Sequence, residues 1–241
     1  MGGRPACTDA ARGAGCAGAH ARGRLNPYRR SFMMQPSELA EVPFPPAPWR
    51  MSGECWGGLV KADRDVPCPA PWKPLLSSRM AMVVLMRYRA GTLQYDELMV
   101  GPLVRHGLHV GLWIPHIWVT SEASLWGGRR MWRLPKELAT FTWEEGRVRV
   151  ADASGPIATF GMEQRPGFWP ALPVPMPGVG GAPGGWTTFV GWMSARLAPG
   201  GLRVEEWSER FPFRLQGPAS WSVRAHPMSI TVPGPTVETA F

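Results

Sequence analysis

Met80-Ala81-Met82-Val83-Val84-Leu85-Met86-Arg87-Tyr88-Arg89 is a continuous apolar run of strand length that ends in polar alternation. Such a run reads as a buried strand. Gly91 offers a turn into residues 93–100, where alternation sets Tyr95, Glu97 and Met99 on one face and Gln94, Asp96 and Leu98 on the other. If the first face is the inner one, Glu97 is an acid inside the core. Taken alone, the stretch favours the opposite, a polar strand edge with Asp96 and Glu97 facing water.

Outward from this pair, the chain reads as more strands. Residues 109–120 continue as strand, with Pro115 marking a bulge or an edge. Thr120 or Ser121 caps a short helix through Trp126, and Gly127-Gly128 is expected to end it. Phe141-Thr142-Trp143, Arg147-Val148-Arg149-Val150-Ala151-Asp152 and Ile157-Ala158-Thr159-Phe160 follow as antiparallel hairpins. Residues 165–185, dense in Pro and Gly, are expected to form a long loop. Further strands are expected around 187–193, 211–215 and 228–232. The proline-rich segment 35–78 is read as extended chain wrapping the body. With 29 Gly, 27 Pro and 13 Trp in 241 residues, short strands joined by turns suit the composition better than long helices.

The length supports one main domain over residues 34–241. Residues 1–33 hold Arg4, Arg12, Arg22, Arg24, Arg29 and Arg30 against Asp9 alone. Most of the net charge of +8 therefore sits in a leader too poor in large apolar residues to fold by itself. It reads as a disordered extension of a chain that begins naturally at Met33 or Met34, although a basic, acid-poor segment also imitates a transit peptide. The high pI is thus poor support for a nucleic-acid surface. Cys7, Cys16, Cys55 and Cys68 have no zinc spacing and fit a reducing cytoplasm. His106, His109 and His116 lack accompanying carboxylates, and strand geometry sends His109 and His116 to opposite faces, so neither a metal nor another cofactor is expected. No stretch is apolar for long enough to span a bilayer as a helix.

The chemistry centres on Ser121-Glu122-Ala123-Ser124-Leu125-Trp126-Gly127-Gly128-Arg129-Arg130-Met131-Trp132-Arg133-Leu134-Pro135-Lys136-Glu137-Leu138-Ala139. Lys136 follows a proline inside a run of tryptophan, methionine and leucine. Either it is an ordinary surface lysine after a turn, or it is kept from water. Removing an ammonium from water favours the free amine, and a free amine attacks a ketone to give a Schiff base.

Gly128-Arg129-Arg130 followed by Leu134-Pro135-Lys136-Glu137-Leu138 resembles the signature of the acetoacetate decarboxylase family, a Gly-Arg-Glu, a short spacer and Pro-Lys-Lys-Leu. Tyr95-Asp96-Glu97-Leu98 is similar to the family's Tyr-x-Glu element, and its distance from Lys136 matches without a gap. The resemblance spans most of residues 44–163. It implies an α+β fold, mainly antiparallel β, arranged as an acetoacetate-decarboxylase-like β-cone or barrel with few short helices. It further implies a cytoplasmic homo-oligomeric lyase acting on a small keto acid, with no nucleic-acid or membrane partner. Lys136 would form the imine, Glu97 would transfer a proton or orient the substrate, and Tyr95 together with Arg129, Arg133 or Arg130 would bind it.

Three departures from the family pattern stand out. Where the family has a second lysine, this chain has Glu137, which would hold an ammonium charged if it approached Lys136. A second family carboxylate on the preceding strand is missing, with Met82 about where it would fall. Ala47-Pro48-Trp49 stands for the family's Gly-Pro-Tyr element, but Arg50 comes too soon to be the arginine that follows it. Three readings stay open: a Schiff-base decarboxylase of a small β-keto acid, a same-fold aldolase or dehydratase using the Lys136 imine, and a binding protein without turnover.

Overall fold

The computed structural model describes residues 41–167, 169–182 and 185–239. The expectations for residues 1–33, including Cys7, Cys16 and a start at Met33 or Met34, lie outside them.

The buried run and its partner form the expected hairpin. β3 (Met80–Gly91) pairs antiparallel with β4 (Tyr95–Gly101), Met86 opposite Glu97 and Val84 opposite Met99. Every residue of β4 is buried, because apolar clusters cover both faces of the sheet here. The polar-edge reading of Asp96 and Glu97 therefore fails. On the other side of β3 lies β1 (Trp49–Lys61), with Cys55 opposite Met86 and Gly57 opposite Val84. Sequence reading treated this segment as wrapping chain, yet β1 is central. Its glycines hid it: a Cβ at Gly53 would overlap the carbonyl of Arg87, at the point where the register shifts.

After β4 come β5 (Leu103–His106), β6 (His109–Trp113) and β7 (His116–Val119), with Pro115 breaking the predicted single strand in two. The one helix among the described residues, α1 (Glu122–Trp132), is capped by Ser121, whose side chain accepts from the Ser124 amide. Gly127 and Gly128 do not end it. They are helical because the helix packs too closely there for a Cβ, which at Gly127 would meet the Trp49 ring. Termination comes at Arg133 in the left-handed region, φ 52°, whose amide bonds to the Gly128 carbonyl. The Trp132 carbonyl, accepting from Thr187 Oγ1 at 2.6 Å, and the Trp132 indole, donating to Pro233, pin this end of the helix.

β8 (Lys136–Leu138) runs parallel to β7. β9 (Thr140–Glu144), β10 (Arg147–Asp152) and β11 (Gly155–Gln164) form the expected meander. The expected loop at 165–185 is largely a strand, β12 (Trp169–Ala182), paired with β13 (Gly185–Trp207). Pro173, Pro175 and Pro177 recur every second residue, so their missing N–H groups fall on one edge and the other edge can still pair. The chain ends in β14 (Gly217–Pro218), β15 (Trp221–Val232) and β16 (Thr236–Thr239), whereas residues 211–215 form only one isolated bridge, Leu215 to Ala62.

Among the described residues the architecture is mostly β with one helix, and mainly antiparallel. It is not a closed barrel. The path from β2 (Lys73–Pro74) to β8 stays open, and the sheet branches where the long β13 pairs with β12, β15 and β16 at its start and with β11 and β14 towards its end. Among the described residues no helix is long and apolar enough to cross a membrane, and no group of His, Cys, Asp and Glu could hold a metal ion.

Candidate functional site

Two sheet rows make the floor of a cavity of about 420 Å³. One row crosses β15, β1, β3 and β4 as Ala225, Cys55, Met86 and Glu97. The next crosses as Val223, Gly57, Val84 and Met99. Trp49, Trp132 and Leu134 close the end beside α1, while Met193, Met176 and Phe189 of the β12–β13 hairpin lie over the other side. The lining is almost wholly apolar, apart from Glu97, Lys136 and the buried Tyr88, Tyr95 and Cys55.

Lys136 reaches this cavity because the helix yields to it. A Cβ at Gly128 would overlap its Cδ and Cε, so the glycine that resembles the family signature is the groove through which the lysine passes. Arg129 braces the strand behind it, Nε donating to the Lys136 carbonyl at 2.8 Å. The Lys136 side chain is 4% exposed and that of Glu97 5%, and Nζ donates to Glu97 Oε2 at 2.6 Å. Nζ also donates to Ser124 Oγ at 2.9 Å and lies 5.3 Å from the centre of the Tyr95 ring. The surface-lysine reading is thereby excluded.

A buried ammonium and carboxylate at this separation form a pair that is neutral overall wherever their shared proton resides. Tyr95 Oη donates to the same Glu97 oxygen at 3.4 Å. Burial first, and then the Glu97 charge, hold the Tyr95 and Tyr88 phenols well above their ordinary pKa, so both remain donors. Burial, reinforced by Glu97 and Glu54, likewise pushes the Cys55 thiol up to about 12.

Glu137 does not approach the amine. Strand alternation turns it to the opposite face, where Oε2 accepts from Trp118 Nε1 at 3.1 Å, and burial followed by the Asp152 charge raises its pKa. Met82 lines the cavity where the missing acid was expected. Arg129 and Arg133 are not among the lining residues, and Arg130 pairs outside with Glu41. Ser124 was missed in sequence reading, since a serine three residues after a cap carries no signal of its own. Trp49 was noted only as part of a family element, and its ring centre lies 5.8 Å from Nζ.

Comparison with known proteins accords with the fold. The family model "Acetoacetate decarboxylase (ADC)" matches residues 64–171. No curated protein sequence matches the chain. Among solved structures, an acetoacetate decarboxylase from Legionella pneumophila is 18% identical, with a TM-score of 0.61 over 89% of this chain and 96% of that one. The enduracididine biosynthesis enzyme MppR is 13% identical, with a TM-score of 0.58 over 84% and 91%. An acetoacetate decarboxylase-like enzyme from Sphingomonas wittichii is also 13% identical, with a TM-score of 0.56 over 85% and 98%. At such identities these structures speak for the fold alone. In sequence over residues 64–171 and in fold over most of its described length, the chain is acetoacetate-decarboxylase-like.

Proposed function

We propose that this protein is an imine-forming carboxy-lyase that decarboxylates a β-keto acid at Lys136. The observation that carries the reading is the Lys136 Nζ to Glu97 Oε2 contact of 2.6 Å, on the floor of an apolar cavity. Glu97 takes a proton from the lysine, and the free amine attacks the ketone carbon. Glu97 returns that proton to the carbinolamine oxygen, which departs as water and leaves an iminium ion. The bond to the carboxylate carbon then breaks, its electron pair flows into the iminium as an enamine, and carbon dioxide departs. Glu97, reprotonated from solvent, delivers a proton to the enamine carbon, and water hydrolyses the resulting iminium to the product ketone and the Lys136 ammonium. Tyr95, donating to Glu97, holds that carboxylate towards the amine.

The apolar walls favour the bond-breaking step. A carboxylate bound beside Val84 and Met99 is stripped of water, and its charge disperses as carbon dioxide leaves, so the transition state suffers less from the dry surroundings than the ground state does.

A second reading, aldol or dehydration chemistry through the same imine, is favoured by one observation: no arginine stands among the described residues lining the cavity to receive a carboxylate. A structural neighbour, MppR, is complexed with the condensation product of pyruvate and imidazole 4-carboxaldehyde. Borohydride reduction in the presence of acetoacetate should add the ketone's mass at Lys136, and carbon dioxide release should vanish in Lys136→Ala. An adduct without carbon dioxide release selects the second reading. No adduct with any ketone overturns both and leaves a binding protein.

A further inference from the structure

The cavity is much larger than a four-carbon keto acid needs. At about 420 Å³ it lies within the roughly 300–1,000 Å³ that encloses a drug-sized ligand, and it would hold on the order of ten water molecules at ~30 Å³ each. Its spare volume is not isotropic. The reactive pair sits on β4 and β8, while the lining continues across β3 and β1 to Val223 on β15.

Gly57 lies on this path, two strands and one row from Glu97, a surface distance on the order of 10 Å from the usual strand spacings. A Cβ placed there would meet only Val223 Cγ1, at 3.9 Å. Gly53 and Gly128, by contrast, are glycines because something occupies the space beside them. Gly57 leaves space unfilled. Along the track Met82, Met86 and Met99 supply unbranched, adaptable walls, and no lining residue there offers a charge to a polar substituent.

We infer that the substrate carries an extended apolar chain: a ketone or β-keto acid whose carbonyl meets Lys136 and whose alkyl tail runs from Glu97 past Val84 and Gly57 towards Val223. The inference rests on the imine reading for the position of the carbonyl, whereas the tail track stands on the shape and chemistry of the cavity.

Two measurements on the full chain separate the two claims. Tryptophan fluorescence titration with methyl ketones bearing methyl, butyl, hexyl and nonyl chains reads affinity without requiring covalent chemistry. Borohydride trapping with the same series reads the imine. Each methylene that enters the track should tighten binding by roughly fourfold, about 0.8 kcal/mol, until the cavity is full. The hexyl ketone should bind at least a hundredfold more tightly than acetone. Gly57→Leu should shrink that ratio by tenfold or more, and Gly57→Ala, the milder change, should shrink it less. A flat or falling affinity with chain length overturns the inference even if acetone is trapped at Lys136. A ratio unaltered by either Gly57 variant, in protein whose melting shows it folded, overturns the assigned track. Rising affinity with no adduct at any length sustains the apolar ligand class and sinks the imine reading instead.

Discussion

The β3–β4 hairpin separates two halves of the molecule that its sequence interleaves. On one face Val83, Leu85, Leu98 and Val100 pack against Trp118, Val148 and Phe160 in a filled core. On the other, Met82, Val84, Met86, Glu97 and Met99 border the cavity. Neighbouring acids are divided in the same way. Asp96 faces Arg89 at 3.4 Å and Arg87 at 3.9 Å and accepts from Trp143 Nε1 at 3.0 Å, an arrangement of guanidinium ions at the margin of the filled side. Glu97, one residue on, faces a lysine at an apolar cavity. The pleat therefore gives two adjacent carboxylates different surroundings, one among guanidinium ions at the margin of the filled core and the other against a lysine at the cavity.

The sharpest break in this division is at the amine. Lys136→Ala should abolish borohydride-trapped adduct and carbon dioxide release and, by leaving Glu97 buried without its cation, should cost roughly 3–5 kcal/mol in urea denaturation. Glu97→Gln should slow imine formation by about 10²–10⁴-fold in single-turnover trapping, while Asp96→Asn leaves that rate within a small factor of wild type. Equal slowing in the two variants would remove the distinction between the acids.

Adjacent residues of β4 test the packing contrast. Leu98→Ala, on the filled face, should cost about 2–5 kcal/mol. Met99→Ala, on the hollow face, should cost no more than about 2 kcal/mol, because one side of the methionine already borders empty space. Matching denaturation midpoints would mean that the cavity is as tightly packed as the core.

His116 belongs to the filled side, stacked on Trp118 and edge-on to Phe211, and burial lowers its pKa from 6.5 to about 4. An unfolded chain takes up this proton near pH 6.5 while the folded one refuses it until about pH 4. Stability should thus be intact above pH 6.5 and should fall by roughly 1–3 kcal/mol on acidification through that window, the partial exposure of the ring reducing the full effect. His116→Phe should flatten that part of the stability profile. The smallest effect is at Cys55, which lines the hollow. With its thiol held up to about 12, it should resist iodoacetamide at neutral pH in the folded protein and react only on unfolding, as read by mass spectrometry.

Much of the site was legible because it is written in short-range code. The alternation of Tyr95, Glu97 and Met99 predicted one face, and the spacing from Tyr95-Asp96-Glu97 to Pro135-Lys136 linked two segments through a family resemblance. Burial of that face was not legible, since a strand with acids at successive positions looks like a wet edge until both neighbouring layers are known. Gly127-Gly128 misled for a related reason. Glycine ends helices through backbone freedom, but here it admits a tryptophan ring and a lysine stem, which are tertiary partners. β12 was lost among its prolines, and β1 among its glycines, because pairing on a particular edge depends on strands far along the chain.

By itself, the sequence determined the β-rich class, the hairpins with their local turns and the Ser121 cap, all of which depend on residues close in the chain, and it singled out Lys136 only through a family resemblance. The tertiary structure alone decided that Lys136 and Glu97 meet at 2.6 Å, that Glu137 turns away, that the sheet stays open and that a large apolar hollow lies beside the pair. Distances and empty volume arise from strands β1, β4, β8, β12 and β15 converging in space, and no periodicity within any one of them encodes that convergence.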